Sequence, residues 1–393
     1  MAMRAPAGFI SAFFDPLKNP NAPTIGTATG GDASASVAFT APANVGGSAI
    51  TAYYAVSNPD QITVTGATSP ITVTGLTNDT PYTFNVWALN SFGPGVWSAA
   101  SGSVTPVGIK GLYGSGSVSN TIASITISTT GNATTFGVLA DINSQAACGS
   151  TTRVIWGGGN SSIYYVTVAT AGNATSFGNL TISRSNLAAC NSATRGLFGG
   201  GYSGGFEVNV IDYITMATTG NAIDFGDISP SMAELSSCSS PTRGLWFSGI
   251  SGGGYPNSAI RYSTIASAGN TVTFGIMTTD QYAAAACSNA TRGVIGGGRT
   301  TSPAISLIQY VTIATTGDSV SFGNLTTTTF RLGACANTTR ATFGGGGVSP
   351  GGSNTSTIGY VTIATTGNAI DFGNLTVAQN SLSACSNGNG GLQ

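Results

Sequence analysis

A chain of 393 residues has room for two or three domains with substantial cores. Twelve Lys or Arg stand against thirteen Asp or Glu while 41% of residues are apolar, which excludes disorder driven by net charge and leaves solubility to hydroxyl and amide side chains. A net charge of −1 without a basic cluster removes the electrostatic footprint of a nucleic-acid binder, and the absence of histidine removes the commonest general base and every triad built on it.

In chain order, residues 1–22 come first. Asp15 and the prolines around it break the apolar run well short of the roughly 18 residues of a membrane span, so neither a signal peptide nor membrane insertion is expected. Phe9, Ile10, Phe13 and Phe14, with Leu17, have two readings: an attachment peptide that docks into a partner, or a lid on the chain's own next domain. Residues 23–106 alternate apolar and polar residues between Gly, Pro and Asn turns, the pattern of a small β-sandwich. Within them "GLTNDTPYTFNVWALNSFG" resembles the fibronectin type III signature. That resemblance implies Leu76 and Tyr82 at a tyrosine corner, Phe84 and Val86 facing inward, Phe39 in place of the family's Trp, and a spacer or adhesive role.

Residues 108–393 repeat. "ACSNATRGVIGGG" at 286–298 has five relatives along the chain, each with one cysteine: Cys148, Cys190, Cys238, Cys287, Cys335 and Cys385. A second marker of the type "TTGNAIDFG" also occurs six times, giving a period near 48, the range of four-stranded propeller blades. Each unit reads as four short strands separated by turn residues. The first unit lacks its cysteine strand and the last has one left over, so residues 381–386 are expected beside 109–115. The predicted fold is all-β: a sandwich, then a six-bladed propeller closed by a single strand. The cysteines are expected on the innermost strands, where small residues fit. As symmetry mates they are not spaced for disulfides, and they have no metal-ligand neighbours. Arg153, Arg195, Arg243, Arg292 and Arg340 recur at a turn, with Lys110 in their place in the first blade, and are read as donors to carbonyls of the adjoining blade.

The glycine runs and the recurring Tyr165, Tyr213, Tyr262, Tyr310 and Tyr360 make this region similar to kelch-type propellers. The "TTGNAxDFG" texture resembles repeat-rich virion proteins of tailed bacteriophages. That likeness implies a virion location, with other capsid or tail proteins as partners.

Candidate chemistry is sparse. Asp224 and Asp371 share one repeat position and read as strand-edge residues, so no catalytic residue, cofactor or metal is expected, and the chain is read as a non-enzyme. "NATR" and "TTGN" are nearly uniform, whereas the loop after each glycine run changes length and content. One face is therefore a scaffold and the other is diversified for recognition. Tyr202, Phe206, Tyr255 and Arg299 are the candidate ligand contacts, because aromatics and Arg dominate binding hot spots. The expected function is that of a phage tail appendage binding a host-surface glycan or protein; the alternatives are capsid decoration and a secreted carbohydrate-binding adhesin.

Overall fold

The computed structural model describes residues 18–140, 145–253, 255–301 and 303–388, and the chain divides into two compact units, Met1–Gly108 and Ile109–Gln393. Among the described residues no helix is long and apolar enough to cross a membrane.

The first unit is a sandwich of two antiparallel sheets. Thr24–Gly31, Ser34–Thr40 and Ile71–Thr74 make one; Thr63–Gly66, Ala52–Asn58, Thr83–Asn90 and Gly93–Pro94, in that spatial order, make the other. Alternation along Thr83–Asn90 buries Phe84, Val86 and Ala88 completely against Val37, Ala55 and Val73. Tyr82 is fully buried, and its hydroxyl accepts from the Thr77 amide at 3.1 Å and donates to the Asp60 carboxylate, which forms the expected corner. Phe39 packs on Tyr53 with ring centroids 4.8 Å apart. The Lys18 and Asn21 amides donate to the carbonyls of Gly46 and Asn44, so the sandwich takes in residues that composition assigned to the N-terminal peptide.

The second unit is a ring of six four-stranded antiparallel blades, each with its first strand at the axis and its fourth at the rim. Blade 1 is Ser383–Ser386, Lys110–Gly114, Thr121–Thr126 and Thr134–Val138. Blade 2 is Gln145–Gly149, Arg153–Gly158, Ser162–Thr167 and Thr175–Asn179; blade 3 is Ala188–Asn191, Arg195–Gly199, Val210–Thr215 and Ile223–Asp227. Blade 4 is Ser236–Ser239, Arg243–Ser251, Tyr255–Thr264 and Val272–Gln281; blade 5 is Ala285–Ser288, Arg292–Gly296, Leu307–Thr312 and Val320–Asn324; blade 6 is Gly333–Ala336, Arg340–Gly344, Thr357–Thr362 and Ile370–Asn374. The last strand of the chain closes the ring, with Cys385 opposite Leu112.

The repeated words are joints between blades. In the "TGNA" turn of blade 3, the Gly220 and Ala222 amides donate to the Phe177 and Asn179 carbonyls of blade 2 at 2.8 Å, and the Asn221 side-chain oxygen accepts from the Asn179 amide at 3.0 Å. The same bonds run from Gly131, Asn132 and Ala133 onto Phe372 and Asn374, so blade 6 is clasped to blade 1 like any other pair. A Cβ on Gly178 would lie 2.0 Å from the Gly220 oxygen, which is why a glycine follows the phenylalanine at this joint.

The cysteines sit on the innermost strands, as expected, and the residue before each one (Ala147, Ala189, Ser237, Ala286, Ala334 and Ala384) also lines the axial channel. The thiols lean on the second strand of the next blade: a Cβ on Gly244 or Gly293 would come within 2.5 or 2.6 Å of the Sγ of Cys190 or Cys238. The glycine after the repeated Arg therefore makes room for a sulfur. Burial pushes the Cys238 thiol up to about 12 and the Cys335 thiol to about 11. The arginines bridge blades as read from the sequence. Arg243 donates to the Ile313 and Ala314 carbonyls at 3.0 and 2.7 Å, and Arg340 reaches Ile127 and Ser128 of blade 1.

Candidate functional site

In this up-and-down topology, the connections between blades and the loops after the glycine runs share one face of the ring, opposite the clasps. The connecting segments are anchored from below by buried polar side chains. Asp212 accepts from the Thr181 amide and hydroxyl and pairs with Arg184 at 3.0 Å, both side chains having no exposed surface. Burial lowers the Arg184 pKa, and the Asp212 charge beside it acts in the opposite direction. Gln309 does the same work in blade 5, accepting from the Thr278 amide at 3.0 Å and the Ser319 hydroxyl at 2.6 Å.

Five of these connections each deliver one residue to the channel mouth in the left-handed conformation that side chains rarely adopt: Asn186 (φ 54°), Glu234 (φ 51°), Ala283 (φ 53°), Arg331 (φ 52°) and Ser381 (φ 56°). A backbone relay links the first four. The Glu234 amide donates to Asn186, Ala283 to Glu234 and Arg331 to Ala283, at 2.9, 2.9 and 2.7 Å. Strained backbone of this kind costs on the order of 1 kcal/mol per residue, and its recurrence round one opening points to function.

The mouth encloses about 80 Å³, with Leu187, Leu235, Leu332 and Leu382 as its apolar collar and the smaller Ala284 in blade 5. Above the collar, Glu234 and Arg331 form an ion pair across the opening. Blade 2 breaks the collar, because Gln145 occupies the position of those leucines. Gln145 is 5% exposed, and neither its amide oxygen nor its amide nitrogen has a hydrogen-bond partner; the second carboxylate oxygen of Glu234 is likewise buried and unpaired. An unmet buried polar group costs about 1–3 kcal/mol, a cost that a polar ligand or ordered water in the mouth would remove.

Of the sequence-derived contacts, the fold brings two to this rim. Tyr202 exchanges backbone hydrogen bonds with Ser185 of the connecting segment, and burial first, then the charges of Glu234 and Glu207, raises its pKa. Arg299 is paired in the same way with Tyr282, and its guanidinium lies 3.5 Å from the Phe330 ring centroid. Phe206 and Tyr255 stand at hairpin tips, 75% and 70% exposed. Tyr255 is not in a loop, as its sequence suggested: blade 4 extends its middle strands into a long hairpin, Arg243–Ser251 with Tyr255–Thr264. Phe9, Ile10, Phe13 and Phe14 lie outside the described residues. Sequence reasoning missed Gln145, Glu234 and Arg331. The signal was present: the residue four places before each cysteine varies as Asn, Glu, Ala, Arg and Ser across blades 3 to 6 and the closing strand, within otherwise uniform text. Among the described residues no group of three or more Cys, Asp or Glu could hold a metal.

The fibronectin type III domain model matches residues 21–103, so the N-terminal unit is a fibronectin type III domain. A solved structure described as "Structure of YjhT", a kelch-like propeller, matches with a TM-score of 0.51 at 10% identity, covering 61% of this chain and 86% of its own. That likeness speaks to fold alone. A comparison with curated proteins finds no match.

Proposed function

We propose that this chain is a non-enzymatic adhesion protein whose propeller captures a polar surface ligand, with carbohydrate as the favoured class, at the channel mouth. The observation that carries the reading is the buried, unpartnered Gln145 amide, set beside an ion pair in an otherwise apolar opening. Carbohydrates combine hydroxyls for such groups with apolar faces for the leucine collar and for rim aromatics such as Tyr202. The virion setting is part of the same proposal: a tail appendage of a tailed phage, held by its N-terminal region, with the diversified face turned to the host. Its support is the sequence texture of the repeats.

The test is a glycan array read with the full chain and with Gln145→Leu and Arg331→Ala. Gln145→Leu completes the collar, so it should fold at least as well as the parent and lose binding by tenfold or more. Equal binding by parent and variants would remove the mouth as the site, and no binding by the parent would remove carbohydrate as the ligand class. Cryo-electron microscopy of purified particles tests the setting, since a ring-shaped domain absent from every particle rules out the virion.

A further inference from the structure

Five blades share a three-layer stack on the clasp face. The repeated Arg lies over the ring of a Tyr in the neighbouring strand, two register positions from its own partner, at distances from 4.6 Å for Arg153 over Tyr165 to 5.1 Å for Arg195 over Tyr213. That Tyr forms a T-shaped pair with a buried Phe in the outermost strand, the centroids 5.9 Å apart for Tyr165 and Phe177 and 6.2 Å apart for Tyr262 and Phe274. Blade 1 keeps the bottom and the top of the stack but not the middle. Phe136 is in place and buried, and Lys110 stands for Arg. Register puts Ser124 opposite Leu112 where the other blades put Tyr165 opposite Ile155 or Tyr213 opposite Leu197. The missing ring leaves an open pocket of about 350 Å³ between Lys110, Ser124, Thr126 and Phe136, bordered by Ala171 of blade 2. The Lys110 ammonium makes no hydrogen bond or ion pair among the described residues and lies 5.8 Å from the Phe136 ring centroid.

We propose that this pocket is a second binding site, and that its ligand is a phenol ring, the chemistry of a tyrosine side chain. Five sibling blades show what fits there: a flat ring that meets a cation on its face and packs in a T-shaped pair with a phenylalanine. In those blades the Tyr is half-buried with solvent beside it, so a ring entering blade 1 from outside reaches the same position without displacing protein. The threonines of the pocket and the Ser124 hydroxyl supply partners for the phenolic oxygen. The site does not depend on the mouth, which lies on the opposite face.

The probe is p-cresol, followed by saturation-transfer NMR on the full chain, beside a Gly-Tyr-Gly peptide and 4-methylcyclohexanol. Saturable millimolar binding of p-cresol is expected, at least tenfold weaker for the saturated analogue because the planar face is lost. Binding of the peptide as well identifies a partner's tyrosine as the source; binding of p-cresol alone identifies a free phenol. Ser124→Tyr fills the pocket from within, so it should abolish the signal and raise the melting temperature. Lys110→Ala, which leaves the cavity open, should weaken binding about fivefold and covers the case in which Ser124→Tyr fails to fold. Absence of p-cresol binding, equal binding of the saturated analogue, or unchanged binding in both variants would overturn the proposal.

Discussion

The two faces of the propeller handle the same six-fold repetition in opposite ways. On the clasp face, backbone amides and an Asn or Asp side chain repeat the same bonds at every joint: Val138 to Asn173, Asn179 to Asn221, Asp227 to Asn270, Ile276 to Asp318, Asn324 to Asn368 and Asn374 to Asn132. On the mouth face the backbone also repeats, with five left-handed residues, four of them relayed carbonyl to amide, but the side chains it presents are Asn, Glu, Ala, Arg and Ser. Regular backbone under irregular side chains is what a recognition surface requires, since the scaffold holds position while chemistry varies. Regular backbone with regular side chains is what closure requires, because a ring fails at its weakest joint.

The comparison breaks most completely if the thiols of the joints are made to ionise. The folded pKa values of Cys238 and Cys335, about 12 and 11, lie above the ordinary 9.0 of the unfolded chain. Their contribution is therefore complete below about pH 9 and lost as the pH rises through the folded values. Each thiol should remove roughly 1.4 kcal/mol per pH unit above that point. Burial raises Cys148, Cys190, Cys287 and Cys385 in the same direction, so denaturant midpoints should fall steeply between about pH 9 and 11. A flat profile by circular dichroism would mean that the thiols are not held neutral. Next in size is Gly178→Ala. With 2.0 Å available to its Cβ against the Gly220 carbonyl, the clasp between blades 2 and 3 has to open, for an expected loss of about 3 kcal/mol in urea unfolding. An unaffected variant would show the joint to be looser than these distances imply. Gly244→Ala should cost less, about 2 kcal/mol, because it meets the movable Cys190 sulfur at 2.5 Å; in Cys190→Ala the same change should cost under about 1 kcal/mol. Additive losses in this double-mutant cycle would refute the pairing of cysteine and glycine.

Much of the architecture was legible because it is written six times. Blade number, strand order and the closing strand follow from repeat spacing and mismatched ends, and the arginine bridges follow from one cation recurring at a turn. Why "TGNA" recurs was not legible, since its partner is the "FGN" of another blade and turn propensity alone explains Gly and Asn. The cysteines were placed on the right strand, but their contact with a glycine in the next blade depends on packing between sheets that sequence does not display. The recognition residues divide along the same line. Tyr202 and Arg299 stand out as large side chains in variable loops, whereas Gln145 is visible only when it is aligned with Leu187, Leu235, Leu332 and Leu382. Ser124 becomes informative in the same way, as the one blade position without its tyrosine.

The smallest effect is the most discriminating between the two faces. Ser381 holds φ at 56°, and its hydroxyl bonds to the neighbouring Asn380 side chain. Ser381→Gly relieves left-handed strain of about 1 kcal/mol, offset in part by the greater freedom of glycine in the unfolded chain. A net gain of about 0.5 kcal/mol should appear as a slightly higher urea midpoint. A gain here, set against a loss at Gly178, would mean that the mouth backbone holds strain and the clasp backbone does not. Loss of stability in Ser381→Gly would instead make the left-handed ring a structural joint like the clasps, with no strain held in reserve for recognition.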